Sequence, residues 1–199
     1  MIPPDPEVHS MPENGARIAL FGKPGAGKST FAGLLREECS ASGQSLRIVK
    51  IADPLYELQR TVYETAGVPA PEAGVQDGQL LNALGAHLRR INPTCLTDRF
   101  EDRVAAVHRE VPGAVVVCDD MRAPDAAALA GMGFRLVEIT APDQVRAARK
   151  AQRGDLSPGD EQHSTERPVE AEPWRRVDNS GGLDVLREQA VRLLAEVRS

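Results

Sequence analysis

Eight residues, Gly22-Lys23-Pro24-Gly25-Ala26-Gly27-Lys28-Ser29, keep the spacing G-x-x-x-x-G-K-[ST]. Glycines let a backbone turn so tightly that successive N–H groups face inward as an anion nest. A helix starting directly afterwards adds its positive N-terminal end to the same site. Lys28 is then placed to reach the β- and γ-phosphates of a nucleoside triphosphate, and the Ser29 hydroxyl to ligate Mg²⁺. Gly22, Gly25, Ala26, Gly27, Lys28, Ser29 and Thr30 are therefore expected to hold ATP, with Lys28 acting on the transferred group.

Two further groups fit that chemistry. Val115-Val116-Val117-Cys118-Asp119-Asp120 is an apolar run ending in acids, and an acid there can face Ser29 across a Mg²⁺ ion. Asp119 is the expected metal-side residue; Asp120 either orients an acceptor or anchors the turn into Met121-Arg122. Transfer of a phosphoryl group between two anions needs cations on both sides of it. Arg146, Arg149, Lys150 and Arg153 share one segment, and Arg149 and Arg153, four apart, share a helix face. Closing that face over the loop would neutralise charge and expel water. Arg60, Arg89 and Arg90 lie on other helical segments, where each is either a ligand for an anion or surface charge. The histidines at 9, 87, 108 and 163 stand apart from other metal-ligating residues, and none is expected to be catalytic. Trp174 is either a core aromatic or a platform for a base.

The elements that must position these residues alternate. Strands are expected over residues 18–21, 46–51, 115–118 and 135–139, with a weaker one at 176–177. Helices are expected over 29–40, 54–66, 79–90, 94–110, 124–132, 144–153 and 183–197. Apolar strands alternating with helices predict an α/β fold with three layers, a parallel sheet covered by helices on both faces. Ligands in such sheets bind beyond the carboxyl ends of the strands. Residues 67–78 form a long Pro/Gly loop, and 154–173 is a polar stretch that reads as a movable lid. The expected organisation is a flexible arm over 1–15 and one domain over 16–199, with an acceptor region at 53–110 and a lid at 144–173.

Composition narrows the partners. The chain has 199 residues and a formal net charge of -5, so no broad basic surface points to nucleic acid. No apolar stretch is long enough for a membrane span, and the first residues have no apolar core of a signal or transit peptide. The three cysteines, Cys39, Cys95 and Cys118, lack metal spacing and read as free thiols of a reducing cytoplasm. Aromatic residues make up only 4%, so Ala, Val, Leu and Ile must build the core.

Several segments then fall into a familiar order. Ile51-Ala52-Asp53-Pro54-Leu55, the run from Leu80-Leu81-Asn82 to Arg89-Arg90-Ile91-Asn92-Pro93, Asp120-Met121-Arg122, His163-Ser164-Thr165-Glu166 and Val177-Asp178-Asn179 resemble motifs of the deoxynucleoside monophosphate kinases. The resemblance runs from Arg17 to about Leu194. It implies the P-loop fold, ATP with Mg²⁺, and a nucleoside monophosphate as the second substrate; a homodimer is compatible with it. It also implies that Asp53, Arg90 and Arg122, together with Arg60 and Asp120, hold the acceptor, and that Asn179 lies near the donor base. Arg149 and Arg153 would close from the lid. The departures sit on the acceptor side. Gly78-Gln79 stands where an arginine is expected, Asn82 replaces a glutamine, Ala86-His87 replaces Thr-Glu, and the acid after Arg122 is displaced to Asp125.

Overall fold

The structure is a computed structural model that describes residues 15–72, 75–152, 156–157 and 167–198. Its centre is β1 (Arg17–Phe21), whose last four residues are buried. Such a strand needs neighbours on both edges and cover on both faces. β3 (Val115–Cys118) lies parallel on one side, with Ile18 opposite Val117. β4 (Arg135–Thr140) lies parallel on the other, with Ala19 opposite Leu136. The edges are β2 (Leu46–Ile48) and β5 (Arg175–Asp178), giving the order β2-β3-β1-β4-β5, all parallel. Both edge strands are short and carry exposed arginines, which discourages pairing with another sheet.

Side-chain alternation along β1 divides the core. Ile18 and Leu20 pack with Phe31, Leu34 and Leu35 of α1 (Lys28–Ala41) and with Leu186, Leu193 and Leu194 of α7 (Leu183–Arg198). Ala19 and Phe21 pack on the opposite face with Leu96, Phe100 and Val104 of α4 (Cys95–Glu110) and Leu129 of α5 (Ala126–Gly131). The Phe100 and Phe134 rings meet at 5.4 Å between centroids. Burying each such side chain contributes about 1.5–3 kcal/mol. The remaining helices are α2 (Asp53–Thr65), α3 (Gly78–Ile91) and α6 (Asp143–Ala151), so the three-layer α/β expectation holds.

Two elements differ from the sequence pattern for local reasons. The second strand stops at Ile48, although Val49 N still donates to Val117 O at 2.9 Å. Beyond it the Asp120 carboxylate accepts from Ile51 N and Ala52 N, both at 2.9 Å, and ends the ladder. The helix expected over 124–132 opens as a 3₁₀ turn, Ala123–Asp125, because the Asp125 carboxylate turns back to the Arg122 amide. All three cysteines are free thiols. Among the described residues no helix is long and apolar enough to cross a membrane.

Candidate active site

The loop between β1 and α1 is shaped by backbone demands. Gly22 has φ +138°, and a Cβ there would strike the Ile139 carbonyl oxygen. Gly27 has φ +98° as the left-handed N-cap of α1, and a Cβ there would collide with Asn179 Nδ2. No side chain caps α1 and no acid occupies its first turn, so its opening N–H groups remain for an anion. The loop carbonyls, by contrast, are taken up. Lys28 Nζ donates to Gly22 O at 2.8 Å, Arg146 Nη1 to Pro24 O at 2.9 Å, and Asn179 Nδ2 to Ala26 O at 2.8 Å. Arg146 and Asn179 are buried, and Arg146 is also paired with Asp143 at 2.8 Å.

Arg149 joins the same clamp, donating to Ala26 O at 3.4 Å and to Asn179 O and Oδ1 at 3.3 Å. It also lines the cleft. Asn179 is only 4% exposed, lies outside the cleft lining and meets the loop from behind. Gly25, Gly27, Lys28, Ser29 and Thr30 line the cleft, whereas Gly22 and Ala26 lie outside its lining and act through the loop's shape.

The cleft floor is acidic but paired. Asp119 is 3% exposed, and its Oδ1 lies 2.6 Å from Lys50 Nζ. Burial pulls the Lys50 pKa down, but attraction and hydrogen bonding by Asp119, with Asp120 beyond, outweigh it and hold the ammonium above its usual value. Burial pushes the Asp120 carboxyl up, against the two amide donors that lower it. Asp120 therefore anchors the β2–α2 connection, a different turn from the one into Met121-Arg122. Lys50 escaped the sequence reading because its i,i+69 pairing with Asp119 is a product of adjacent strands β2 and β3.

Beyond the floor the cleft runs between α2 and α3. Its volume of ≈ 1330 Å³ exceeds the ~300–1,000 Å³ usual for one small-molecule pocket and admits two ligands. Arg122 and Asp53 both line it, and Asp53 is held by Arg103 Nη1 at 2.7 Å. Arg60 reaches only the rim, with 65% of its side chain exposed beside Glu64. Arg90, expected to hold the acceptor, is exposed and outside the lining, while Arg89 faces inward and pairs with Asp125 at 2.8 Å. One residue of helical phase, about 100°, separates the two. The Pro/Gly loop contributes Pro71, Glu72, Val75 and Gln76 to the wall. Gln59 pins it, accepting from Asp77 N at 3.0 Å and donating to Val75 O at 3.4 Å. Ser157 closes the outer end, its hydroxyl 2.6 Å from Asp77 Oδ1.

Of the altered positions, Gly78, Asn82 and Asp125 line the cleft, whereas Gln79, Ala86 and His87 do not. Trp174 takes the first of its two expected roles: it packs against the edge of the core, beneath the guanidinium groups of Arg135 and Arg175, and lies outside the cleft lining. Arg153 and residues 154–155 and 158–166 of the lid, among them the segment His163-Ser164-Thr165-Glu166, lie outside the described residues, as do residues 1–14 of the arm.

No family model matches this chain, and no curated protein matches it. Solved structures do. The APS kinase of Mycobacterium tuberculosis, in complex with AMPPNP and APS, is 18% identical at a TM-score of 0.55, covering 94% of this chain and 100% of that one. A sugar kinase from Janibacter sp. HTCC2649 is 16% identical at a TM-score of 0.52, covering 93% of this chain and 99% of that one. A gluconokinase from Sinorhizobium meliloti 1021 is 19% identical at 0.50, covering 94% of this chain and 95% of that one. At such identities the likeness is one of fold alone, a parallel sheet with helices on both faces.

Proposed function

We propose that this chain moves the γ-phosphoryl group of ATP onto the phosphate of a nucleoside or deoxynucleoside monophosphate, giving the diphosphate and ADP. The observation that carries the reading is one continuous cleft with an open anion nest at one end and the inward arginines Arg89 and Arg122 towards the other. Lys28 and the loop amides hold the donor phosphates, and Arg149 supplies charge at the rim. An acceptor phosphate is already ionised, so positioning and charge neutralisation suffice and no dedicated base is required. Ser29 and Asp119 are hard oxygen donors on the same cleft, and few protein ligands suit an ion that keeps its waters and phosphates, so they fit Mg²⁺. Bound there, the ion would neutralise phosphate charge.

The likeness to a sugar kinase and a gluconokinase favours a second reading, another small metabolite as acceptor. ADP formation from ATP and Mg²⁺, measured across deoxy- and ribonucleoside monophosphates, separates the two. Turnover that requires a monophosphate is the expected result. Steady hydrolysis indifferent to every acceptor would instead make the chain a nucleotide-binding switch.

A further inference from the structure

One wall of the cleft is a single stripe of α3: Gly78, Asn82, Gly85 and Arg89 all line it. Their spacings of four, three and four keep them on one helix face. The stripe divides by chemistry. Gly78 and Gly85 are buried, and the space beside Gly85 is bounded by the Arg89 and Leu55 side chains, 3.3 and 3.4 Å from where a Cβ would lie. Arg89 is held by Asp125 at 2.8 Å, next to the turn that carries Arg122. Asn82 stands between the glycines, and its Nδ2 is buried without a hydrogen-bond partner among the described residues. The other such atoms, Arg103 Nε, His108 Nε2 and Arg146 Nε, belong to residues outside the cleft lining.

A buried amide N–H left unpaired is unfavourable unless a ligand supplies the acceptor. Neighbouring amides are engaged elsewhere: Gln59 holds the 75–77 backbone, and Gln76 donates to Tyr56 Oη at 2.8 Å. Seven residues of helix separate Asn82 from Arg89, about 10 Å of rise. That span suits a molecule with a phosphate at one end and a ring at the other.

We infer that Asn82 reads the head group of the acceptor, its Nδ2 donating to a ring carbonyl or unprotonated ring nitrogen of a nucleobase whose phosphate lies towards Arg89 and Arg122. The inference rests on the acceptor class proposed above and adds the residue that selects within it.

The test uses ATP with dAMP, dCMP, dGMP and dTMP in turn, on the wild-type chain and on Asn82→Asp and Asn82→Leu. The aspartate keeps the shape and removes the donor; the leucine removes all polarity. With each monophosphate that the wild type uses, both variants are expected to raise the acceptor KM at least about 10-fold, the loss typical of one buried hydrogen bond. ATP KM and the melting midpoint should stay near wild type. Asn82→Gln, which keeps the carboxamide one methylene further out, should reorder the four acceptors. An unchanged acceptor KM in the aspartate variant overturns the role of Asn82 while leaving the kinase reading intact. If the wild type uses none of the four, nor AMP, CMP, GMP or UMP, the acceptor class itself fails and this inference goes with it. Should the leucine variant fold poorly, the near-isosteric aspartate variant decides.

Discussion

At the loop end of the cleft, shape comes from backbone: three glycines adopt conformations other residues resist, and buried groups from α6 and the end of β5 occupy the loop carbonyls. At the other end, the proposed acceptor side, it comes from side chains on α2 and α3, braced by one loop through Gln59, Tyr56 and Asp77. The first arrangement fixes a site for any triphosphate, because amide donors read phosphate and little else. The second can change its ligand by exchanging single side chains. In the proposed kinase, specificity would therefore be carried by α3, and phosphate chemistry by the loop.

The largest expected effect tests the donor end. Lys28→Ala should lower acceptor-dependent ADP formation by about 10²–10³-fold, as loss of a charge-stabilising donor does, with the melting midpoint preserved. Near-normal turnover in that variant would remove the loop from the mechanism. Next comes the division between Arg89 and Arg90. Arg89→Gln leaves the Asp125 carboxylate, 2% exposed, without its cation, and urea unfolding should show a loss of about 3 kcal/mol. Arg90→Gln should stay within about 0.5 kcal/mol of wild type. Equal effects from the two would show that the helical phase of α3 is misread.

A smaller effect should separate the two ends kinetically. Asn179→Ala uncovers the Ala26 carbonyl, and should cost about 1–3 kcal/mol and raise the ATP KM more than the acceptor KM. A matching rise in both would mean that the ends are not independent. The smallest concerns the brace at the head of α3, where Asp77 caps Leu80 N and binds Ser157 and Tyr63. Asp77→Ala should cost about 1 kcal/mol, as helix caps do. The Ser157 hydroxyl, with the Leu80 amide and the Tyr63 hydroxyl, holds the Asp77 carboxyl below its ordinary value. A lowered folded pKa means stability that is complete above the ordinary value and lost as pH falls through the folded one. The advantage of wild type over Asp77→Ala should thus shrink in thermal melts as pH falls through and below the ordinary carboxylate range. An advantage constant over that range would show that the carboxylate is not the group responsible.

Much of this was legible along the chain. The spacing from Gly22 to Ser29 located the loop, and continuous apolar runs located β1 and β3, because a strand buried on both faces has nowhere to place a polar residue. Local pattern gave the arginines of α3 as a pair but could not choose between them. That choice is one of helix phase against a partner, Asp125, thirty-six residues away. The ion pair of Lys50 with Asp119 and the clamp of Asn179 on Ala26 span 69 and 153 residues, and no local signal marks them.

The sequence by itself therefore determined the phosphate-binding loop, the alternation of strands and helices, and the acids at the end of β3. Each depends on the conformational freedom or periodicity of neighbouring residues. Only the tertiary structure decided that Arg89 faces inward, that Asp120 ends β2, that Asn179 supports the loop from behind, and that Asn82 leaves a buried donor in the α3 wall of the cleft. These depend on which distant groups meet, and strand order and helix packing settle that.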